Sequence, residues 1–477
     1  MSATSLVIAD SRPTSAMDRL RHFLAERERA SEPVESLAAF ERELRAKVAA
    51  VEQEAIAREL ERFDLDVPEL AVDGVRHGRV LRAETTYLSS AGPVRVLRTL
   101  YRPRGGGQTV VPMELRSGIV EGFWTEQAAA LGAWAVAHLV PGEAEALFER
   151  IGSMQPSRAS LDRLPKALSE TWEAKRVEMG EAVRASECVP QDTAVVAVSL
   201  DGVHVPMKDG ERAQKRERQA AQGKLRRGPA GYREASCATL SFYDAEGEMH
   251  STIRFARMPE AGKRTLKQML VEEVASALED RPALRIVKLA DGAKDNWTFL
   301  SQMLPEGVEI VDFFHATEHL FEALSVAHGA NNATTHAEFE RLRHALRWYK
   351  HGVGYVIAEL KRLETRYPRR KVIGRERRYF EANRSRMRYA EFAEAGLPIG
   401  SGIVEAACKT LVGERLKQSG MRWREAGGQA ILTLRGLIQS DRFDAAWPLL
   451  AAEYKREVSL PENVIPISAT PRRRASV

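Results

Sequence analysis

The stretch VVAVSLDGVHV (195–205) decides the reading of this chain. Six aliphatic or small residues, Val195 to Leu200, suit a strand buried on both faces, and the run ends on an acid, Asp201, followed by Gly202. The pattern returns in LRIVKLADGA (284–293), which ends on Asp291 and Gly292. A carboxylate at the C-terminal end of an interior strand lies at the sheet edge, where open α/β folds bind ligands. Glycine after it leaves room for backbone or substrate to approach. Two adjacent strands ending this way bring two carboxylates together, and a divalent cation is the simplest relief for their repulsion. Oxygen-only ligands suit Mg²⁺ or Mn²⁺. Two such ions about 4 Å apart are the apparatus of phosphodiester displacement.

A third acid is expected from elsewhere in the chain, and Glu405 fits. On the helix predicted from 402, Val404, Ala407, Cys408 and Leu411 form an apolar stripe. Glu405 and Lys409 lie off that stripe one turn apart, with Gly413 and Lys417 continuing the same side. Glu405 can then face the carboxylate pair while Lys409 and Lys417 face a phosphate backbone. Taken alone, the spacing is that of a surface Glu–Lys pair; the two Asp-Gly strands favour the site.

Outward from these strands, the pattern from 193 runs strand, strand, strand, helix, strand. SCATLSFYD (236–244) and MHSTIRFARM (249–258) flank the turn AEGE and predict a hairpin. KRTLKQMLVEEVASALED (263–280) is an amphipathic helix, and GVEIVDFF precedes the helix HATEHLFEALSVAHG. Residues 335–395 are charged and helical, and LPIGSG ends that run. Upstream, 16–62 has helical spacing, while VLRAETTYLSS, PVRVLRTLYRP and TVVPMEL between 80 and 115 are β-type runs separated by AGP and RGGG. Residues 124–175 read as three short helices with tight connections. Arg158, Ser160 and Arg163 near the start of the last suit a helix-turn-helix DNA reader; the same pattern fits an ordinary helical bundle, and the sequence leaves both open.

Length and composition bound the rest. A chain of 477 residues with 44% hydrophobic content has material for about three domains with real cores. No apolar run reaches the ~18 residues of a membrane span, so no membrane partner is expected. The N-terminus lacks the charged and apolar blocks of a signal peptide. Three cysteines, none in a C-x-x-C pair, fit a reducing cytoplasm and argue against a zinc ribbon. The net charge of +5 is mild, but basic residues cluster at 208–233, at Arg422 and Arg424 with Trp423 between them, and in the tail PRRRASV. One cluster is an ordinary solvated face; three together point to a polyanionic partner. Trp297 and Trp423 are candidates to stack on bases, below the acids in rank because most tryptophans are core.

The order AVSLDGV, KLADGA, DFFHATEHL and PIGSGIVEAACKTLVGERLKQSGMRW resembles bacterial insertion-sequence transposases of the acidic-triad (DDE) class, more narrowly the ISKra-type group, over 193–440. The resemblance implies an α/β protein with an RNase H-like catalytic core and a helical insertion before the Glu helix. It makes Asp201, Asp291 and Glu405 the ligands of two Mg²⁺ or Mn²⁺ ions. Asp312 and His315 match a D-x-x-H signature of the related Mutator-like transposases. That histidine reads either as a donor to DNA backbone or a displaced base, or as a helix-capping or core residue. His319 is left as a helix residue, since H-x-x-x-H has no evident third zinc ligand here.

The expected organisation is an N-terminal helical region (1–79), a small antiparallel β unit (80–117) and a helix-turn-helix-like region (118–190). The catalytic core (191–330 and 397–445) follows, interrupted by the insertion (331–396) and closed by a tail (446–477). The expected partners are transposon-end and target DNA, with a dimer or larger assembly on paired ends, in the bacterial cytoplasm. Three competitors use the same features differently: a nuclease or resolvase without strand transfer, a domesticated DNA-binding protein without catalysis, and a structural nucleoid or coat protein.

Overall fold

A computed structural model describes residues 15–152, 154–208, 210–223, 231–400 and 402–460. Much of the basic segment's middle and the tail PRRRASV lie outside the described residues. The protein is mixed α/β. It divides into two compact units, one running to Thr171 and resuming at Trp447, the other spanning Trp172–Ala446. No helix among the described residues is long and apolar enough to cross a membrane.

The first unit opens with helices Ala16–Arg29 and Leu37–Arg62, each capped by a serine side chain, Ser15 and Ser36. An antiparallel sheet follows from β1 (Glu69–Val72), β2 (Val75–Ser89) and β3 (Gly92–Pro103), with Val458–Ser459 added beside β1. Asp73 and Gly74, both at positive φ, make the tight β1–β2 turn. The expected third β run, TVVPMEL, is instead one bridge at Val110 and the helix Pro112–Ser117. Proline at the first turn and left-handed Gly118 at the end decide this locally. Helices Glu126–His138, Pro141–Ile151 and Arg158–Ala174 come next. The first and third meet closely: a Cβ on Gly132 would lie 3.0 Å from Leu164 and 3.3 Å from Trp124.

The second unit is built on five strands: β4 (Val195–Pro206), β5 (Tyr232–Tyr243), β6 (Met249–Arg257), β7 (Arg285–Ala290) and β8 (Val308–Val311). Their order is β6-β5-β4-β7-β8. β4, β5 and β6 are antiparallel, while β7 joins β4 and β8 joins β7 in parallel. The parallel strands read as continuous apolar runs because both faces are covered. Helix Arg264–Asp280 packs on β5 and β6, Lys294–Met303 on β7, and Glu425–Gln439 on β6. Helices Phe313–His328, Ala333–Trp348, Gly352–Arg366 and Lys371–Ala382 pack on one another, and Leu342, Leu360 and Phe380 share one buried core with Val198, Val287 and Ile310.

β4 does not end at Asp201. It stays paired with β5 through Pro206, and it is β7 that stops, its last partners being Leu200 and Ala290. Asp201 therefore sits inside its own strand, one residue beyond the point where the parallel neighbour leaves. Asp291 follows β7 directly.

Candidate active site

Four carboxylates gather at the edge where β7 and β8 end. Asp201 projects from β4, Asp291 from the end of β7, and Asp312 from the end of β8. Glu405 comes from helix Gly402–Ala407, which packs on β4 and β5. The end of β8 is tied to the end of β7 by the Asp312 N–H donating to Ala290 O at 3.0 Å. Asp312 is 1% exposed and caps helix Phe313–His328, its Oδ1 accepting from the His315 backbone N–H at 2.6 Å. Asp291 Oδ1 accepts from Asn296 Nδ2 at 2.9 Å and from Ala293 N–H at 3.2 Å. Asp201 accepts from the Gly202 N–H at 2.6 Å and from the Cys408 thiol at 3.7 Å.

These acids feel one another. Burial raises the pKa of Asp201 above the ordinary carboxylate value, and the charge of Asp291 raises it further, outweighing the Gly202 and Cys408 hydrogen bonds and the Lys263 charge. Burial also raises Glu405, reinforced by the charges of Asp312, Asp201 and Glu318. The carboxylates at this edge thus sit in one another's negative field.

The glycines of the two Asp-Gly pairs have a different purpose from the one expected. A Cβ on Gly202 would lie 2.4 Å from Glu234 Oε1, and one on Gly292 would lie 2.1 Å from Tyr379 Cε2. Protein side chains, not substrate, occupy the space. Glu234 goes on to pair with Lys263 at 2.8 Å. Gly400, in the LPIGSG break, lets its loop pass close to Asp312 Oδ2, 3.8 Å from where a Cβ would be.

His315 is half-buried on the first turn after Asp312, with Nε2 at 3.2 Å from His319 Nε2. His319 Nδ1 lies 2.5 Å from Glu376 Oε2, and the Tyr379 ring stacks on His319 at 3.9 Å. Burial would raise the fully buried Glu376, but hydrogen bonds from His319 and Arg375 hold it below the usual glutamate value. The helix residue His319 thus gains partners the sequence did not suggest: one ligand atom each from His319, Glu322 and Glu376 lie within 4.8 Å of one another. Arg375 already pairs with both carboxylates. Glu376 and Tyr379 were missed because RERRYFEA reads as one more charged helix; the signal was a Tyr-Phe pair inside it.

The remaining expected contacts divide. Lys409, Lys417, Arg422 and Arg424 are exposed. The helix carrying Lys409 contains a π turn over Cys408–Gly413, so the four-residue spacing used to align Glu405 with Lys417 does not hold across it. Arg158 and Arg163 are exposed, but Ser160 is 5% exposed and bonded to Ser157, which makes it part of a helix start and not a DNA contact. Trp297 is also a correction: it is 5% exposed, inside the sheet core, with the Arg386 guanidinium 4.3 Å from its ring, and cannot stack on a base. Trp423 is half-buried and anchored, its Nε1–H donating to Leu416 O at 2.9 Å and its backbone N–H to Pro206 O, the last residue of β4, at 2.9 Å.

No known protein-family model matches this chain, and no curated protein matches it.

Proposed function

We propose that the protein is a DNA transposase of the acidic-triad class, cutting and joining DNA strands at an RNase H-like core. One observation carries the reading: Asp201, Asp291 and Glu405, far apart in sequence, come to the same edge of the sheet, where the charge of Asp291 acts on Asp201 and the charges of Asp312 and Asp201 act on Glu405. The mixed sheet with β4 central, antiparallel β5 and β6 on one side and parallel β7 and β8 on the other, supports the same reading.

Asp201, Asp291 and Glu405 would hold two Mg²⁺ or Mn²⁺ ions. When bound, such ions supply an activated nucleophile and a stabilised leaving oxygen. Exposed Lys409, Arg422 and Arg424 suit the phosphate backbone, and Arg158 and Arg163 suit recognition of the element's ends. In the first step water adds to phosphorus, the P–O3′ bond breaks, and the oxygen leaves as a 3′-OH. In the second step that 3′-oxygen bonds to a target phosphorus as a target P–O3′ bond breaks. Joining two ends calls for at least two protomers.

The test is strand cleavage of the DNA flanking the gene, in Mg²⁺ or Mn²⁺, by wild type and Asp291→Asn. Discrete cuts that vanish in the variant are expected. Sequence-specific binding by both proteins with no cuts would favour the DNA-binding reading without catalysis.

A further inference from the structure

Glu405 stands on an uncommon piece of backbone. Its helix, Gly402–Ala407, runs directly into the π turn Cys408–Gly413 and then into Glu414–Leu416. A π turn inserts one residue into a helix, and such turns are rare and often lie at functional sites. In a regular α-helix one residue is about 100° of rotation and about 1.5 Å of rise. Relaxed to α-helix, the turn would swing Glu405 by about 100° relative to Leu411, Val412 and Leu416, which share a core with Val205 and Ala235. The direction of the Glu405 carboxylate therefore depends on the extra residue staying in the turn.

Two side chains from helix Glu425–Gln439 hold that turn. The Arg435 Nε–H donates to Leu411 O at 2.9 Å, and its Nη2 donates to Thr410 O. Gln439, one turn on, donates from Nε2 to Thr410 O at 3.4 Å and accepts from Thr410 Oγ1 at 3.1 Å. The rigid fork of a guanidinium suits two adjacent carbonyls, which a lysine cannot grip in the same way. Arg435 is 4% exposed. Burial lowers its pKa from the ordinary arginine value, against the charge of Glu414. Taking a charge out of water is costly, and an apolar side chain would pack there without that cost. The carbonyls of the turn account for the arginine.

The helix carrying Arg435 is itself pinned to β6 and the residue after it. Ser440 Oγ accepts from the Arg254 N–H at 2.8 Å and donates to Arg254 O at 3.0 Å. Gln429 Oε1 accepts from the Met258 N–H at 2.9 Å. Gly428 and Gly436 let the helix close on the strand: Cβ atoms there would lie 2.5 Å from Met258 Sδ and 3.3 Å from Arg254 O. Contacts thus run without a break from the sheet through Arg435 to the turn that carries on from Glu405.

We propose that Arg435 is a positioning residue for the acidic edge: its fork on Thr410 and Leu411 keeps the π turn wound and so aims Glu405 at Asp201 and Asp312. It acts through the backbone of the turn. The effect on cutting rests on the function proposed above; the placement of Glu405 does not.

The experiment compares wild type with Arg435→Lys, which keeps the charge and loses the fork, and with Gln439→Ala, a milder change at a half-buried position. Alkylation of Cys408 by iodoacetamide, followed by the mass of its peptide, reads opening of the turn independently of activity. Cys408 is 7% exposed, and its alkylation should be roughly ten-fold faster in Arg435→Lys and roughly three-fold faster in Gln439→Ala. Cleavage of flanking DNA should fall roughly 100-fold in Arg435→Lys, with more Mg²⁺ needed for half-maximal rate and unchanged affinity for that DNA. A merely structural role would lower DNA binding and cleavage together and leave the Mg²⁺ midpoint unmoved, and that result would overturn the proposal. Alkylation at the wild-type rate in both variants would overturn it too. Should Arg435→Lys not fold, Gln439→Ala decides by the same measurements. If wild type cuts no DNA, the enzyme reading falls and alkylation still decides the placement. Wild-type cleavage and Mg²⁺ dependence in Arg435→Lys would keep the enzyme and remove the role of Arg435.

Discussion

Gly292→Ala is the sharpest test of how the acids are held. The added Cβ would lie 2.1 Å from Tyr379 Cε2 and 2.8 Å from its Cζ and Oη. Carbon atoms in contact sit about 3.5–4.0 Å apart, so the ring must move by more than an ångström. It has little freedom to do so, because it is half-buried and stacked on His319 at 3.9 Å. Gly292 itself is not among the residues at positive φ, so alanine brings no backbone strain. The overlap should cost about 1–3 kcal/mol. Because Asp291 is the preceding residue, the same shift should displace its carboxylate, and a misplacement near 1 Å can lower a rate by about 100-fold. Thermal unfolding and flanking-DNA cleavage read the two effects. The pair Gly292→Ala/Tyr379→Ala isolates the cause: once the ring is gone, alanine at 292 should cost nothing beyond Tyr379→Ala alone. A single Gly292→Ala variant with wild-type unfolding and wild-type cleavage would refute the reasoning.

Four further outcomes are expected. Burial and the Asp291 charge raise the folded-state pKa of Asp201, so its contribution to stability is present below the unfolded value of about 3.9 and is lost as pH rises through the raised value. Without divalent ions, Asp201→Asn should therefore melt above wild type at neutral pH and converge with it in acid; a lower melting point at neutral pH would contradict the charge argument. Mg²⁺ should stabilise wild type, by about 2.7 kcal/mol at a hundred times its Kd, and leave Asp291→Asn unmoved; calorimetric scans showing equal shifts would place the cation elsewhere. Arg442 is buried and bonded to Glu273 at 2.7 and 2.8 Å and to Glu187 at 2.6 Å, so Glu273→Gln should lower stability in urea by about 3–5 kcal/mol, and a change below about 0.5 kcal/mol would show the pair to be dispensable. Arg158→Ala and Arg163→Ala should each weaken binding to end DNA and flatten its salt dependence by about one unit, and unchanged affinity would move end reading to another surface.

The strands of the second unit were legible because a parallel strand buried on both faces writes its position as a mostly apolar run, as in Val195–Leu200, broken only by Ser199, and Ile286–Ala290, broken only by Lys288. The hairpin was legible from AEGE; the helix after β8 was expected to begin at His315 and begins at Phe313, with Asp312 as its cap. The β run at TVVPMEL was misread because proline followed by a polar turn and glycine overrides three β-type residues. The acids themselves could be named from their places after apolar runs. What lies around them could not. Whether a tryptophan is buried like Trp297 or open like Trp348 depends on which helix face meets the sheet, and both sit in amphipathic helices of similar composition. The space beside Gly202 and Gly292 is filled by Glu234 and Tyr379, residues distant in the chain, so the pattern Asp-Gly could announce a close approach without saying what approaches. Sequence by itself determined the α/β pattern, the candidate acids and the basic clusters, since these rest on local periodicity and residue chemistry. Only the tertiary structure decided which strand ends beside Asp201, which carboxylates share one field, and which aromatic rings face solvent, because each of those depends on contacts between segments far apart in the chain.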